Sequence, residues 1–167
     1  MRAGRSSQIR LLVVDDHFFV RMGLACALTA EPDMRVVAEA DNGEQAIQLF
    51  RVHRPDVVIL DGRLPGLSGV ETLGKLRQEF PKARVLMLSI DDGEEGVLRA
   101  LQAGASGYLA KSTRLEELLR AIRAIHAGER YIPPALSARL PLHSCSSRSS
   151  ENRVASRSQA LCGIKEV

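Results

Sequence analysis

Carboxylate, hydroxyl and amine side chains stand directly after several short apolar runs of this sequence. Asp15 and Asp16 follow the first run, and Asp61, Ser89 and Lys111 end or follow later ones. Carboxylates brought into one pocket repel each other, by about 4 kcal/mol for two charges about 4 Å apart at an effective dielectric of about 20. A proton or a divalent cation relieves that repulsion. Oxygen ligands at a water-accessible rim suit Mg²⁺, so the sequence predicts Mg²⁺ as the cofactor.

The same side chains suit the transfer of a phosphoryl group to a carboxylate. A carboxylate is an established phosphoryl nucleophile, which makes Asp61 the candidate acceptor. Mg²⁺ would neutralise the incoming charge, and the Ser89 hydroxyl and the Lys111 ammonium would bind phosphoryl oxygens. Each residue also has an ordinary explanation, since Asp16 can cap a helix that begins near His17 and a lone lysine is usually solvated. Their joint occurrence at the ends of four strands favours the functional interpretation.

Five apolar runs alternate with amphipathic stretches along the chain. The elements that these segments form must position the candidate site residues. The runs predict strands buried on both faces, at Ile9–Val14, Met34–Ala38, Val57–Leu60, Arg84–Leu88 and Gly107–Leu109. The stretches between them carry apolar residues at helical spacing, most clearly from Leu115 to Ile125. This alternation predicts an α/β fold, with a doubly wound five-stranded parallel sheet and helices on both faces. Ligands bind such sheets beyond the carboxyl ends of the strands.

Length and composition set the broad class. The 167 residues suit one domain and an appendage, and the hydrophobic fraction of 45% is ordinary for a soluble globular protein. A net charge of +3 is too small to indicate a nucleic-acid partner by itself. Three scattered cysteines show no metal or disulfide spacing, which favours a reducing, cytoplasmic location. Asp15 and Asp16 interrupt the first apolar run, so we expect neither a signal peptide nor a membrane segment.

The pattern divides the chain into four parts. Residues 1–8 form an N-terminal extension, and residues 9–127 form the α/β domain. Residues 128–142 are predicted to be a linker, because Pro133 and Pro134 cannot lie inside a helix. Residues 143–167 are rich in Ser and Arg and lose the apolar period, which predicts a poorly ordered tail.

From about Ile9 to about Ala127 the sequence resembles the receiver domains of two-component response regulators. The segments that carry the resemblance are Val13–His17, Pro55–Asp61, Leu64–Gly69 and Ala103–Lys111. The resemblance implies a flavodoxin-like sheet of strand order 2-1-3-4-5. It also implies that a sensor histidine kinase is the partner, and that the chain is a phosphoacceptor switch rather than an enzyme, limited to self-phosphorylation from a donor and autodephosphorylation.

The resemblance implies a role for each site residue. Asp61 accepts the phosphoryl group, Asp16 is the more direct Mg²⁺ ligand and Asp15 acts largely through water. The backbone carbonyl of Arg63 completes the protein's share of the coordination.

The remaining implied roles concern binding and output. Ser89 and Lys111 bind the phosphoryl group. Tyr108 is an aromatic switch that turns inward when Ser89 moves towards the phosphate. The surface of helix four, strand five and helix five would then change, which favours a phosphorylation-dependent homodimer.

The sequence is most similar to the receivers of NarL/FixJ-like regulators, which precede a LuxR-type helix-turn-helix. Lys111-Ser112, where many receivers have Lys-Pro, fits this branch and predicts no cis peptide there. Ser89 in place of Thr and Gly62 after the acceptor are mild departures. Only 25 residues (143–167) follow Leu142, against about 60 for such a DNA-binding domain, so the tail would be a truncated or degenerate remnant.

Three alternatives stay open at this point. The first is a DNA-binding transcriptional regulator whose output domain is truncated. The second is a phosphohydrolase that uses Asp61 as nucleophile, although Gly62, Arg63 and Leu64 supply no second acid just after it. The third is a flavin-binding protein, although the first strand is followed by two acids instead of a phosphate-binding loop.

Overall fold

Strands and helices alternate through the chain. The computed structural model describes residues 8–90 and 93–132. The elements in order are β1 (Ile9–Val14), α1 (Phe18–Thr29), β2 (Met34–Ala40), α2 (Gly43–His53), β3 (Val57–Asp61), α3 (Gly69–Glu79), β4 (Val85–Ser89), α4 (Glu94–Gln102), β5 (Gly107–Ala110) and α5 (Leu115–His126). All four strand pairings are parallel, in the order β2-β1-β3-β4-β5. The predicted sheet and its strand order are confirmed.

The sheet is covered on both faces because successive strand residues point to opposite sides. In β1, Leu12 and Val14 pack with α2, α3 and α4, whereas Leu11 and Val13 pack with α1 and α5. Every residue of β3 and β4 is buried. Burial on both faces explains the near-continuous apolar runs and fixes the carboxyl ends of the central strands.

The chain that leaves α5 stays against the sheet. The Tyr108 amide donates to the Tyr131 carbonyl at 3.1 Å, and the Tyr131 amide donates to the Ser106 carbonyl at 3.0 Å. Tyr131, within the predicted linker, therefore forms a single parallel bridge with Gly107 beside β5. The rest of that linker and the predicted tail, 143–167, lie outside the described residues.

Two smaller expectations concern the described residues. The described residues contain no cis peptide bond. This agrees with the prediction made from Ser112, which follows Lys111 where many receivers have proline. None of the helices in the described residues has the length and apolar character needed to span a bilayer.

An arginine on α5 ties that helix to the loop before β2. The Arg123 guanidinium donates to both carboxylate oxygens of Asp33, at 2.8 and 2.9 Å, and to Glu31 at 2.8 Å. The hydrogen bond from Arg123 lowers the pKa of Asp33. The resulting contribution to stability is present above the ordinary pKa of aspartate and is lost as the pH falls through the lowered one.

We therefore expect Arg123→Ala to reduce the free energy of unfolding by about 1 kcal/mol at neutral pH, because the pairs are partly exposed. The difference in unfolding free energy between the variant and the parent should become smaller when the pH falls below the pKa of Asp33. Urea denaturation at neutral and acidic pH measures both effects. Arg120→Ala, an exposed arginine on the same helix, is the control and should change stability little. Equal losses in the two variants would contradict a specific role for Arg123.

Candidate functional site

The parallel register brings the predicted site residues to one edge of the sheet. Val14 pairs with Leu60 on the neighbouring strand β3, so Asp15 and Asp61 each come one residue later, at the same level of the sheet. Ser89 ends β4 and pairs with Ala110 of β5, which Lys111 follows. This edge includes the point where strand order reverses around β1, the place where open α/β sheets bind ligands.

Lys111 bridges two buried carboxylates at this edge. Its Nζ lies 2.8 Å from Asp15 Oδ2 and 2.7 Å from Asp61 Oδ2. Asp15 and Asp61 are only 1% and 2% exposed. The ammonium therefore supplies the counter-charge that two desolvated carboxylates need.

Burial and hydrogen bonding act on these groups in opposite directions. Burial raises the pKa of the Asp61 carboxyl, although hydrogen bonds from Lys111 and the Arg63 amide act against it. Burial lowers the pKa of Lys111, but hydrogen bonds to Asp15 and Asp61 outweigh burial, so the pKa is raised. Lys111 is consequently charged at neutral pH, and the two carboxylates take two of the three N–H donors of its ammonium.

Backbone donors hold the second oxygen of each buried carboxylate. The His17 amide donates to Asp15 Oδ1 at 2.9 Å, and the Arg63 amide donates to Asp61 Oδ1 at 3.0 Å. Asp15 is therefore engaged by donors at both oxygens. Asp16 is exposed and stands at the rim of the site. The two adjacent acids thus have different surroundings, with Asp16 the more accessible to an ion arriving from water.

The donor set fits a divalent cation. One ligand atom from each of Asp15, Asp16, His17 and Asp61 lies within 4.8 Å of all the others. Opposite ligands of an octahedral ion with bonds of about 2.1 Å are about 4.2 Å apart, so small side-chain movements would close the set around one ion. Three of the four residues offer carboxylate oxygens, the ligands that Mg²⁺ prefers. The prediction that Asp15, Asp16 and Asp61 share a site agrees with this geometry.

Ser89 and Tyr108 lie on the next two strands of the sheet after the acceptor strand: Ser89 ends β4, which pairs with β3, and Tyr108 is on β5, which pairs with β4. Ser89 is buried, and its carbonyl accepts a hydrogen bond from the Lys111 amide at 2.8 Å. Tyr108 is only 2% exposed as a residue, so its side chain is turned inward in this structure. A cavity of about 330 Å³ lies between residues of α3 and α4 beside the ends of β4 and β5, with Gly62, Ser89 and Tyr108 among its lining residues. This cavity gives the hydroxyl and the ring space in which to rearrange.

The loop after Asp61 has a constraint that sequence reasoning did not identify. A Cβ on Gly69 would lie 2.2 Å from the Asp61 carbonyl oxygen, so only glycine lets α3 begin this close to the acceptor. Ser68 caps the helix: its hydroxyl accepts from the Glu71 amide at 3.3 Å, and the Glu71 carboxylate accepts from the Ser68 amide at 2.9 Å. The Ser-Gly-x-Glu order was the available signal for this capping box.

Gly69→Ala should therefore destabilise the protein by about 3 kcal/mol, because the added methyl group must displace the backbone at Asp61. The control is Gly74→Ala on the same helix, where an added Cβ would meet nothing within 4 Å. That change should raise the free energy of unfolding by about 0.5–1 kcal/mol. Urea denaturation of both variants measures the difference. A Gly69→Ala variant as stable as the parent would contradict the close approach.

Comparisons with known proteins agree with this geometry. A family model described as response regulator receiver domain matches residues 11–123. Response regulator GacA of Pseudomonas aeruginosa is 40% identical over 136 residues, which are 81% of this chain and 64% of GacA. Nitrate/nitrite response regulator protein NarL of Escherichia coli (strain K12) is 42% identical over 127 residues, which are 76% of this chain and 59% of NarL. The chain thus spans less than two thirds of the length of these relatives.

A solved structure shows the same fold. The two-component response regulator of the LuxR family from Aurantimonas sp. SI85-9A1 is 40% identical, with a TM-score of 0.76, and the match covers 79% of this chain and 94% of that one. The family match covers more than half of the chain, and the NarL relative together with the LuxR-family structure confirms the predicted resemblance to NarL/FixJ-like regulators. From its sequence, sheet order and carboxylate–lysine cluster, the chain belongs to the receiver domain family of two-component response regulators.

Proposed function

We propose that this chain is a Mg²⁺-dependent switch whose acceptor, Asp61, takes a phosphoryl group from a sensor histidine kinase. The observation that carries the proposal is the bridge from Lys111 to the two buried carboxylates, Asp15 and Asp61, at the edge of the sheet. A charged lysine beside a buried carboxylate nucleophile suits the binding of an anionic phosphoryl group. Membership of the receiver family supports the same activity.

The proposed step is a single displacement at phosphorus. One carboxylate oxygen of Asp61 forms a bond to phosphorus while the phosphorus–nitrogen bond of a phosphohistidine breaks, and the imidazole leaves with the electron pair. Lys111 is placed to hold the charge of the phosphoryl oxygens. The Ser89 hydroxyl is placed to donate to one of them. Phosphorylation and later hydrolysis of the acyl phosphate would be the only covalent chemistry of this site.

Four residues would hold Mg²⁺. Asp16 and Asp61 are the candidate direct ligands, Asp15 would act largely through water as the family resemblance implies, and the Arg63 carbonyl would complete the protein's share. The bound ion would neutralise charge on the acceptor and on the phosphoryl group.

The output would pass through Ser89 and Tyr108 to the surface of α4, β5 and α5. A Ser89 hydroxyl that moves to the phosphoryl group favours the inward position of the Tyr108 ring, and a coupling of about 1–3 kcal/mol suffices to change what the surface binds. α5 exposes Leu115 at this surface, which would suit a second copy of the chain. The predicted helix-turn-helix remnant lies outside the described residues, so the described residues do not bear on DNA binding.

Beryllofluoride with Mg²⁺ tests the output, because it imitates a phosphoryl group at a carboxylate. We expect the light-scattering mass to rise towards that of a dimer, and Leu115→Ser to reduce the rise. Phe19→Ser on α1, where Phe19 is 78% exposed, is the matched variant and should leave the rise intact. If Phe19→Ser alone abolished the rise in mass, the dimer interface would lie on α1 and not on the surface of α4, β5 and α5. An unchanged mass of the parent would show that it has no such output.

Intact mass spectrometry tests the proposed function itself. After incubation with acetyl phosphate and Mg²⁺ the chain should gain the mass of one phosphoryl group, and EDTA should prevent the gain. Equal labelling with and without EDTA would contradict a Mg²⁺-dependent site.

A further inference from the structure

His17 follows the acidic pair and directs its ring back towards it. The residue precedes α1, and its side chain makes no hydrogen bond to the amides of the first turn. Its ring instead lies beside two carboxylates: Nδ1 is 2.9 Å from Asp16 Oδ1 and 3.2 Å from Asp15 Oδ1. The side chain is 66% exposed, so it can adjust to an ion without displacing the core.

These distances match the spacing of neighbouring ligands around one ion. In an octahedral site with bonds of about 2.1 Å, adjacent ligand atoms are about 3.0 Å apart. The Nδ1 atom of His17 has this spacing to Asp16 Oδ1, the candidate direct ligand, as a ligand has to its neighbour around an octahedral ion. Asp15 Oδ1, at 3.2 Å from Nδ1, is beside the same position and would bind the ion through water. Asp61 offers a further ligand atom within 4.8 Å of the others. The structure therefore places a nitrogen donor among the carboxylates that would hold Mg²⁺.

We propose that His17 is an additional metal ligand, through which this site also takes transition ions such as Co²⁺ in competition with Mg²⁺. The inference rests on the proposed function, since the carboxylates are those assigned to Mg²⁺. Mg²⁺ prefers oxygen and gains little from an imidazole. Imidazole suits ions of the later first transition row, and the affinity of a mixed nitrogen and oxygen site increases from Mn²⁺ to Cu²⁺. The identity of residue 17 would thus set which divalent ions compete for the acceptor.

The ordinary alternative is that His17 only orients the acidic pair through hydrogen bonds. That role predicts equal effects of a His17 substitution on all divalent ions. A ligand role predicts an effect confined to transition ions, which separates the two explanations.

Isothermal titration with Co²⁺ and with Mg²⁺ is the test. The background has Cys26, Cys145 and Cys162 replaced by Ser, because thiolates also bind Co²⁺. We expect His17→Gln to weaken Co²⁺ binding at least about ten-fold, the scale that even outer-shell partners of ligands reach, and to change Mg²⁺ affinity by less than about two-fold. His53→Gln, at the far end of α2, is the control and should change neither affinity.

A second readout uses the unmodified His17. In the same background, substoichiometric Co²⁺ should shift and broaden the His17 imidazole NMR signals before those of His53, and excess Mg²⁺ should reverse the change. Undiminished Co²⁺ affinity in His17→Gln, or His17 signals that Co²⁺ leaves unaffected, would overturn the inference. Failure of the parent to bind Mg²⁺ would instead overturn the proposed metal site, whereas the Co²⁺ measurements decide the role of His17.

Discussion

Replacing Asp61 with Asn should abolish covalent phosphoryl labelling of the chain by acetyl phosphate and Mg²⁺. The amide has no carboxylate oxygen with which to form an acyl phosphate. Asp61 Oδ1 and Oδ2 accept from the Arg63 amide and Lys111, so an asparagine side chain at this position would keep the shape of the site and lose its charge and nucleophile. Intact mass spectrometry over a time course measures the labelled fraction.

The matched control for that prediction is Asp41→Asn, which removes an exposed carboxylate just after β2. It should label at the rate of the parent, because Asp41 lies outside the acidic cluster. Labelling of Asp61→Asn at the parental rate would show that another residue is the main acceptor.

Replacing Lys111 with Met should affect both stability and labelling. Without the ammonium, the buried carboxylates of Asp15 and Asp61 face each other with no counter-charge. Removal of one partner from a buried ion pair costs about 3–5 kcal/mol, and the open rim of this site favours the lower end of that range. Labelling should slow on the order of 100-fold, as expected when one preorganised donor to a charged transition state is removed.

Mg²⁺ provides a further test of the Lys111 prediction, because a divalent cation can replace part of the positive charge that the variant lacks. Urea denaturation with and without Mg²⁺ should show a larger stabilisation of Lys111→Met than of the parent. The control is Lys75→Met, which replaces an exposed lysine on α3. It should resemble the parent in labelling rate and in stability to urea, both with and without Mg²⁺. A Lys111→Met variant as stable as the parent would mean that the bridge does not balance the carboxylates.

The sequence predicted the bounds of the central strands β3 and β4 better than those of the edge strand β2. β3 and β4 are buried along their whole length, so each is a continuous apolar run in the sequence up to its last residue, the site residue Asp61 or Ser89. β2 is an edge strand and extends to Ala40, past the predicted end at Ala38, because Glu39 can point to solvent there. Apolar periodicity is weak where one side of a strand meets water, which is why that boundary was missed.

The site was predictable as a set of residue types and not as a set of contacts. Parallel topology alone brings Asp15, Asp61 and Lys111 to one edge of the sheet. That Lys111 bridges both carboxylates depends on side-chain geometry that spacing does not encode. The close approach of Gly69 to the Asp61 carbonyl likewise appears only when α3 is packed against the sheet.

The most direct test of the central claim is to locate the phosphoryl group in the labelled protein. Borohydride reduces an acyl phosphate to an alcohol, so treatment after labelling with acetyl phosphate and Mg²⁺ converts a phosphorylated aspartate to homoserine. Peptide mass spectrometry should find homoserine at position 61 and unmodified aspartate at Asp15 and Asp16. Homoserine at either of those positions in place of 61, or at none of the three in a labelled chain, would contradict Asp61 as the acceptor.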